Sequence, residues 1–262
     1  MMRSLWTAAS GMVAQQANID VISNNLANVN TTGFKKSRTD FQDLMYQTMR
    51  QAGTTTGPDS QLPTGIQMGS GVRQVATQKI YTEGSFQSTG NSTDLAIEGD
   101  GFFQISMPDG TINYTRDGSF KLDSTGRIVT SEGYPLEPAI TVPTNATAFA
   151  VSSDGIVTAT IPGQTNPQNL GQLQIARFVN SSGLDSLGKN LLKETAASGN
   201  PVLSNPGTDG AGTIQQKYLE MSNVQVVEEM VNMIVAQRAY EINSKAITTS
   251  DTMLEQAANL KR

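Results

Sequence analysis

Apolar residues recur at alternating steps of three and four near the start of the chain: Leu5, Ala8, Met12, Ile19, Ile22, Leu26 and Val29, with Gln15 keeping the step. That seven-residue repeat predicts a helix carrying a coiled-coil seam. A second face holds Thr7, Ser10, Ala14, Ala17 and Val21. Its side chains are mostly small, which predicts close approach by another helix. Gly33 follows Asn28, Asn30, Thr31 and Thr32, so the helix is expected to stop near Asn28 to Thr32.

A second helix is predicted at the other end. Val226, Met233, Tyr240, Ile247 and Leu254 recur every seventh residue, and Val235, Ala239, Ile242, Ala246 and Met253 form another stripe on roughly the opposite face. Ser222 and Gln225 have the spacing of a capping box, with Met221 and Val226 placed to staple it. Glu228 and Glu229 suit the positive helix start, Lys261 and Arg262 the negative end. A helix apolar on two faces belongs to a layered bundle or a multi-subunit wall; the periodicity alone fits a central helix of an ordinary core about as well.

Between the ends the pattern shortens. Turn signals recur from about residue 85 to 185: Gly99-Asp100-Gly101, Asp109-Gly110, Asp117-Gly118, Ser124-Thr125-Gly126, Glu132-Gly133 and Asp154-Gly155. Short apolar or alternating runs lie between them, such as Leu95-Ala96-Ile97 and Ile128-Val129-Thr130. This predicts an antiparallel β domain. Residues 47–71 differ: five glycines, Pro58, Pro63 and Thr54-Thr55-Thr56 leave little apolar content. They are expected to be an extended Gly/Thr-rich segment, disordered in the free monomer. The fold class is thus α+β. Residues 1–32 and 222–262 are expected to be terminal helices, 33–84 and 186–221 an extended, β-rich connecting region that includes the 47–71 loop, and 85–185 the antiparallel β domain.

Composition narrows the chemistry. Ser, Thr, Asn and Gln make up 90 of the 262 residues, and Cys and His are absent. Disulfides, thiolate nucleophiles, imidazole-based triads and Cys/His metal sites are therefore excluded. A net charge of −5 argues against nucleic-acid binding. The one basic cluster, Lys35, Lys36 and Arg38, reads as solvated charges after a helix end. Asp117 and Asp123 flank Phe120 but sit at predicted turns, where backbone preference explains them. No run of 18 apolar residues predicts a membrane span, and the start lacks a secretory apolar core, so the protein is expected to stay in the cytosol or to leave by a route that cleaves no signal peptide. No cofactor, metal or catalytic residue is expected.

Three segments resemble one known family. Ser23-Asn24-Asn25-Leu26-Ala27-Asn28-Val29-Asn30-Thr31-Thr32-Gly33-Phe34-Lys35 is similar to the N-terminal signature of bacterial flagellar rod and hook proteins. Glu220-Met221-Ser222-Asn223-Val224 and Met230-Val231-Asn232-Met233-Ile234, leading into Gln237-Arg238-Ala239-Tyr240-Glu241, resemble the C-terminal one. Leu95-Ala96-Ile97-Glu98-Gly99-Asp100-Gly101-Phe102-Phe103 and Tyr114-Thr115-Arg116-Asp117-Gly118-Ser119-Phe120 match the middle. Chain length and the 47–71 segment point to the distal-rod branch.

The resemblance implies a structural subunit of a helical tube that transmits motor torque to the hook. Its partners would be identical subunits, proximal rod proteins, the hook protein, ring proteins of the peptidoglycan and outer-membrane layers, and the flagellar type III export apparatus. It would lie in the basal body and span the periplasm. Leu5, Met12, Ile19, Ile22, Leu26, Val226, Met233, Tyr240, Ile247 and Leu254 are the expected interface of the inner helices. Asn24, Asn25, Leu26, Ala27, Asn28, Gly33 and Phe34 carry the family motif, their amides serving helix-end chemistry or bonds between subunits. Thr54, Pro58, Leu62, Pro63 and Ile66 mark the segment expected to stiffen the rod. A hook or proximal-rod paralogue, or a secreted carbohydrate-active or carbohydrate-binding β protein, are the alternatives.

Overall fold

A computed structural model describes residues 2–57, 60–163 and 166–259. The protein is α+β: helix α1 spans Met2–Ala27, helix α2 spans Val226–Asn259, and short strands lie between. The chain falls into two compact units. One takes its residues from 2–26, 37–78 and 225–259; the other comprises 27–36 and 79–224.

In the first unit the helices run antiparallel. Ser4 and Ser250 hydroxyl oxygens meet at 3.2 Å, and Asn25 Nδ2 lies 3.4 Å from Glu229 Oε2. The small-residue face of α1 takes a β ribbon instead of the expected second helix: Ser10 Oγ accepts from the Val72 amide at 3.3 Å. Gly71 fits there because a Cβ would come within 2.1 Å of Ser10 Oγ.

That ribbon is the larger departure from the sequence reading. Strand Ser37–Asp43 pairs with Val72–Lys79, Gln47–Arg50 with Ile66–Met68, and Thr55–Gly57 with Ser60–Gln61. The Leu44 amide donates to Gly71 O at 2.9 Å and bridges the first two pairs. The segment expected to be extended loop is therefore one long hairpin. Strands 37–43, 47–50 and 72–79 have few apolar alternations because most of their residues are exposed, so the period-2 signal was missing.

The second unit holds the β core. A five-stranded antiparallel sheet runs in the order Leu136–Glu137, Phe103–Ser106, Ile112–Thr115, Leu191–Lys193, Asp185–Gly188. A three-stranded sheet joins Ala148–Val151, Ile156–Thr160 and Gln168–Gln172. The β structure continues past residue 185, with Thr213–Gln216 pairing Leu95–Glu98 and Tyr218–Glu220 pairing Phe86–Ser88. Asp109-Gly110 and Asp154-Gly155 do turn hairpins, between 103–106 and 112–115 and between 148–151 and 156–160. Phe103, Phe120, Ile105, Leu95, Ile97, Val157 and Ile175 belong to the main core, while Phe102 sits in a second cluster with Tyr114 and Leu192. Adjacent Phe102 and Phe103 thus serve opposite faces, as strand alternation requires.

The capping box is not formed. α2 begins at Val226, and its first turn closes with the Glu229 amide donating to Gln225 O at 3.0 Å. Ser222 instead accepts from the Val224 amide two residues on, at 3.3 Å. This is the local turn Ser favours when the helix starts further along.

Candidate assembly surface and motif junction

The exposed side of helix α2 carries an apolar stripe, shared with the exposed Arg238–Glu241 ion pair. Val227, Val231, Ile234, Val235 and Ile242 lie on it, with Val227 77 % and Ile242 67 % exposed. Trp6 and Val13 on α1, and Phe41, Met45, Met49, Ile66 and Met68 on the ribbon, are exposed as well. Large apolar side chains exposed at helical spacing along α2 make that stripe a candidate interaction surface.

The expected interface residues divide. Ile22 is buried; Leu5, Met12, Ile19, Leu26, Met233, Ile247 and Leu254 are half-buried; Val226 and Tyr240 are exposed. The heptad seam therefore faces inward within the chain, and the second stripe is the open one. The alternate seam positions on α2 escaped the apolar pattern because they are Glu229, Ala236, Asn243 and Ser250. Glu229 is not an exposed helix-start charge: it is buried beside Asn25.

The asparagines also divide. Asn25 is buried; its Nδ2 donates to Ser37 O at 2.8 Å and its Oδ1 accepts from the Ser37 amide at 2.9 Å. The amide mimics a strand partner and pins the ribbon start. Asn28 Oδ1 accepts from the Thr31 hydroxyl at 3.2 Å, which is helix-end chemistry. Asn24 and Ala27 are exposed.

In the segment named for stiffness, Thr54 is exposed and its hydroxyl donates to Gln51 O at 2.5 Å. The Leu62 amide donates to Thr54 O at 3.1 Å, and Leu62 is half-buried. Pro63 and Ile66 are exposed, with Ile66 opposite Arg50. Pro58 lies outside the described residues.

Parts of the three signature segments, residues 27–35, 95–103, 114–120 and 220–224, lie in the second unit. Gly33 has φ +66°, and a Cβ there would come within 2.6 Å of the Arg116 carbonyl carbon. Its amide donates to Glu220 O at 2.8 Å. Half-buried Phe34 and Lys36 continue the junction through Asn223, whose Oδ1 accepts from the Lys36 amide at 2.8 Å.

At the junction's centre sits an ion triad that sequence reading missed. Glu220 is 1 % exposed, with Lys35 Nζ on Oε1 and Arg116 Nε on Oε2, both at 2.6 Å. Lys35 is 4 % exposed, not solvated, and also donates to Thr82 O at 2.7 Å. Arg116 donates further to Gly101 O at 2.6 Å, Gly99 O at 2.6 Å and Ile97 O at 3.1 Å. Burial pushes the Glu220 carboxyl up, but the attraction of Arg116 and Lys35 outweighs it and holds the group below its ordinary range. Burial lowers the Lys35 ammonium, against the pull of Glu220. The only signal available was that each residue lies inside a signature segment.

Asp117 and Asp123 form no pair. Asp117 accepts from the Thr32 hydroxyl at 2.8 Å and the Ser119 amide at 3.0 Å; Asp123 bonds Arg127 at 2.9 Å. Among the described residues, no group of three or more acidic side chains could hold a metal ion. None of their helices is long and apolar enough to cross a membrane.

Known proteins are similar throughout. The family models described as "Flagella basal body rod protein", "Flagellar hook protein FlgE/F/G D1 domain" and "Flagellar basal body rod FlgEFG protein C-terminal" match residues 5–35, 96–159 and 215–260. The flagellar basal-body rod protein FlgG of Buchnera aphidicola (subsp. Schizaphis graminum) is 57 % identical over 260 residues, covering 99 % of this chain and all of that one. The protein of that name from Borreliella burgdorferi is 56 % identical over 264 residues, covering both chains fully. The flagellar hook protein FlgE of Helicobacter mustelae is 49 % identical over 138 residues, 52 % of this chain and 30 % of its own.

Proposed function

We propose a role that proceeds from one premise: the chain belongs to the flagellar basal-body rod protein family, and it is a structural subunit of the rod. Within that family we place it in the distal rod. Copies assemble into a helical tube that carries motor torque to the hook. The observation that carries this reading is the full-length similarity to rod proteins named FlgG, against partial coverage by a hook protein. The chain's surface agrees, since a long helix with an open apolar face needs neighbours. Contacts between copies that do not close a ring build filaments.

In this reading α1 and α2 pair as a coiled coil and line the tube, with the expected seam residues between them. The β core faces outward, toward the ring proteins of the peptidoglycan and outer-membrane layers. The subunit reaches the periplasm through the flagellar type III export apparatus and meets proximal rod proteins at one end and hook protein at the other. The role is non-enzymatic.

In-frame deletion of the coding sequence tests the assignment. Isolated basal bodies should carry shortened rods without hooks, and complementation should restore both. Full-length rods with hooks in the deletion strain would overturn it.

A further inference from the structure

Three contacts tie α1 to α2, and they share one register. Ser4 meets Ser250 at 3.2 Å, Asn25 meets Glu229 at 3.4 Å, and a Cβ on Gly11 would lie 2.9 Å from Asn243 Nδ2. Every seven residues forward on α1 answer seven residues backward on α2. The same spacing sets Asn18 opposite Ala236, which is buried. One heptad position on both helices is thus small or polar throughout: Ser4, Gly11, Asn18 and Asn25 against Ser250, Asn243, Ala236 and Glu229.

The apolar positions cannot fix that register. Leu5, Met12, Ile19 and Leu26, like Met233, Ile247 and Leu254, repeat every seven residues. A slip of one heptad again sets apolar against apolar. The small and polar positions do distinguish registers. Gly11 is the single glycine of α1, so only one place on that helix accepts the Asn243 amide. A slip sets Asn243 against Ser4 or Asn18, where a Cβ already fills the notch. It also parts the Asn25 amide from the buried Glu229 carboxylate, a contact that only one register makes. Polar residues at single heptad positions are known to set register at some expense of stability.

We infer that Gly11–Asn243, Asn25–Glu229 and Ser4–Ser250 form a register key that admits a single antiparallel alignment of the terminal helices. The key fixes the axial position of the open α2 stripe along α1, which a one-heptad slip would move by about 10 Å, and so which surface a second copy meets. The last step rests on the proposed rod assembly.

The chain's lack of cysteine supplies the test. Ser4→Cys with Ser250→Cys should form an intrachain disulfide on mild oxidation, since the two side chains already meet within reach of such a bond. Ser4→Cys with Asn243→Cys reports the slipped register. The first pair should cross-link at least about tenfold more than the second, in purified monomer and in basal bodies. Gly11→Asn should remove most of the Ser4–Ser250 cross-link, and adding Asn243→Gly to that pair should restore it by reversing the fit. Equal cross-linking in both pairs, no cross-link in rods that do assemble, or failure of the reversed pair to rescue a folded chain would each overturn the key. Absence of the chain from basal bodies would instead sink the rod assignment, and the monomer ratio would still decide the register.

Discussion

Lys35, Arg116 and Glu220 lie far apart in the sequence, yet they share one buried site with 2.6 Å contacts. Removing one member of such a group leaves a charge buried without its partner, which costs about 3–5 kcal/mol. Glu220→Ala strands two cations and is expected to lower the unfolding free energy of the β core by that much in urea titration. The pH dependence follows from the same contacts. The folded carboxyl is held below 4.5, its ordinary value, so its contribution is present above 4.5 and is lost as pH falls through the lower folded value. Glu220→Gln should therefore flatten the acid limb of the stability curve relative to the native chain; identical acid limbs would show that the triad contributes nothing. The triad was not legible because a charge destined for burial looks like any other in sequence. Gly33 was legible: its place after the Asn/Thr cluster predicted a helix stop, and the positive φ and backbone contact explain why only Gly serves there.

Among the elements, the two helices could be read because a period of three and four persists over many turns. The capping box failed because a four-residue spacing recurs readily in a chain so rich in Ser and Gln. The ribbon could not be read at all, since most residues of strands 37–43, 47–50 and 72–79 face solvent and carry no apolar alternation. Asp-Gly turns gave hairpins, but strand order joins segments from residues 95 to 216 and leaves no local trace. Met233 and Ile242 separate the two faces of α2. Met233→Asp places a carboxylate on the half-buried face and Ile242→Asp on the open one. Both are expected to abolish rods, while the β core, which has its own buried cluster, melts unchanged by circular dichroism. Only Met233→Asp should also loosen the pairing of α1 with α2 in the monomer, seen as faster amide exchange over 5–29 and 226–254. Normal motility with Ile242→Asp would remove the open stripe from the assembly surface.

For the molecule as a whole, the ribbon between residues 37 and 79 is the part whose purpose the isolated chain does not explain. A two-stranded ribbon is marginal alone, and this one gains little from its own side chains. Met45, 88 % exposed, and Ile66 and Met68 offer apolar contact outward. In a tube every copy repeats such contacts, and contacts between neighbours oppose the sliding that bending requires. We therefore expect the ribbon to stiffen the rod. Deleting residues 54–64 shortens it without opening it, because Gln47–Arg50 and Ile66–Met68 still pair and the remaining four residues, with Gly53 and Gly65, suit a short hairpin turn. Export and helix pairing should survive, since neither helix is touched. The rods formed should be curved or flexible when isolated basal bodies are viewed by electron microscopy, with shorter persistence than native rods. Straight rods of native persistence after the deletion would reduce the ribbon tip to a passive loop and leave stiffness to the helices.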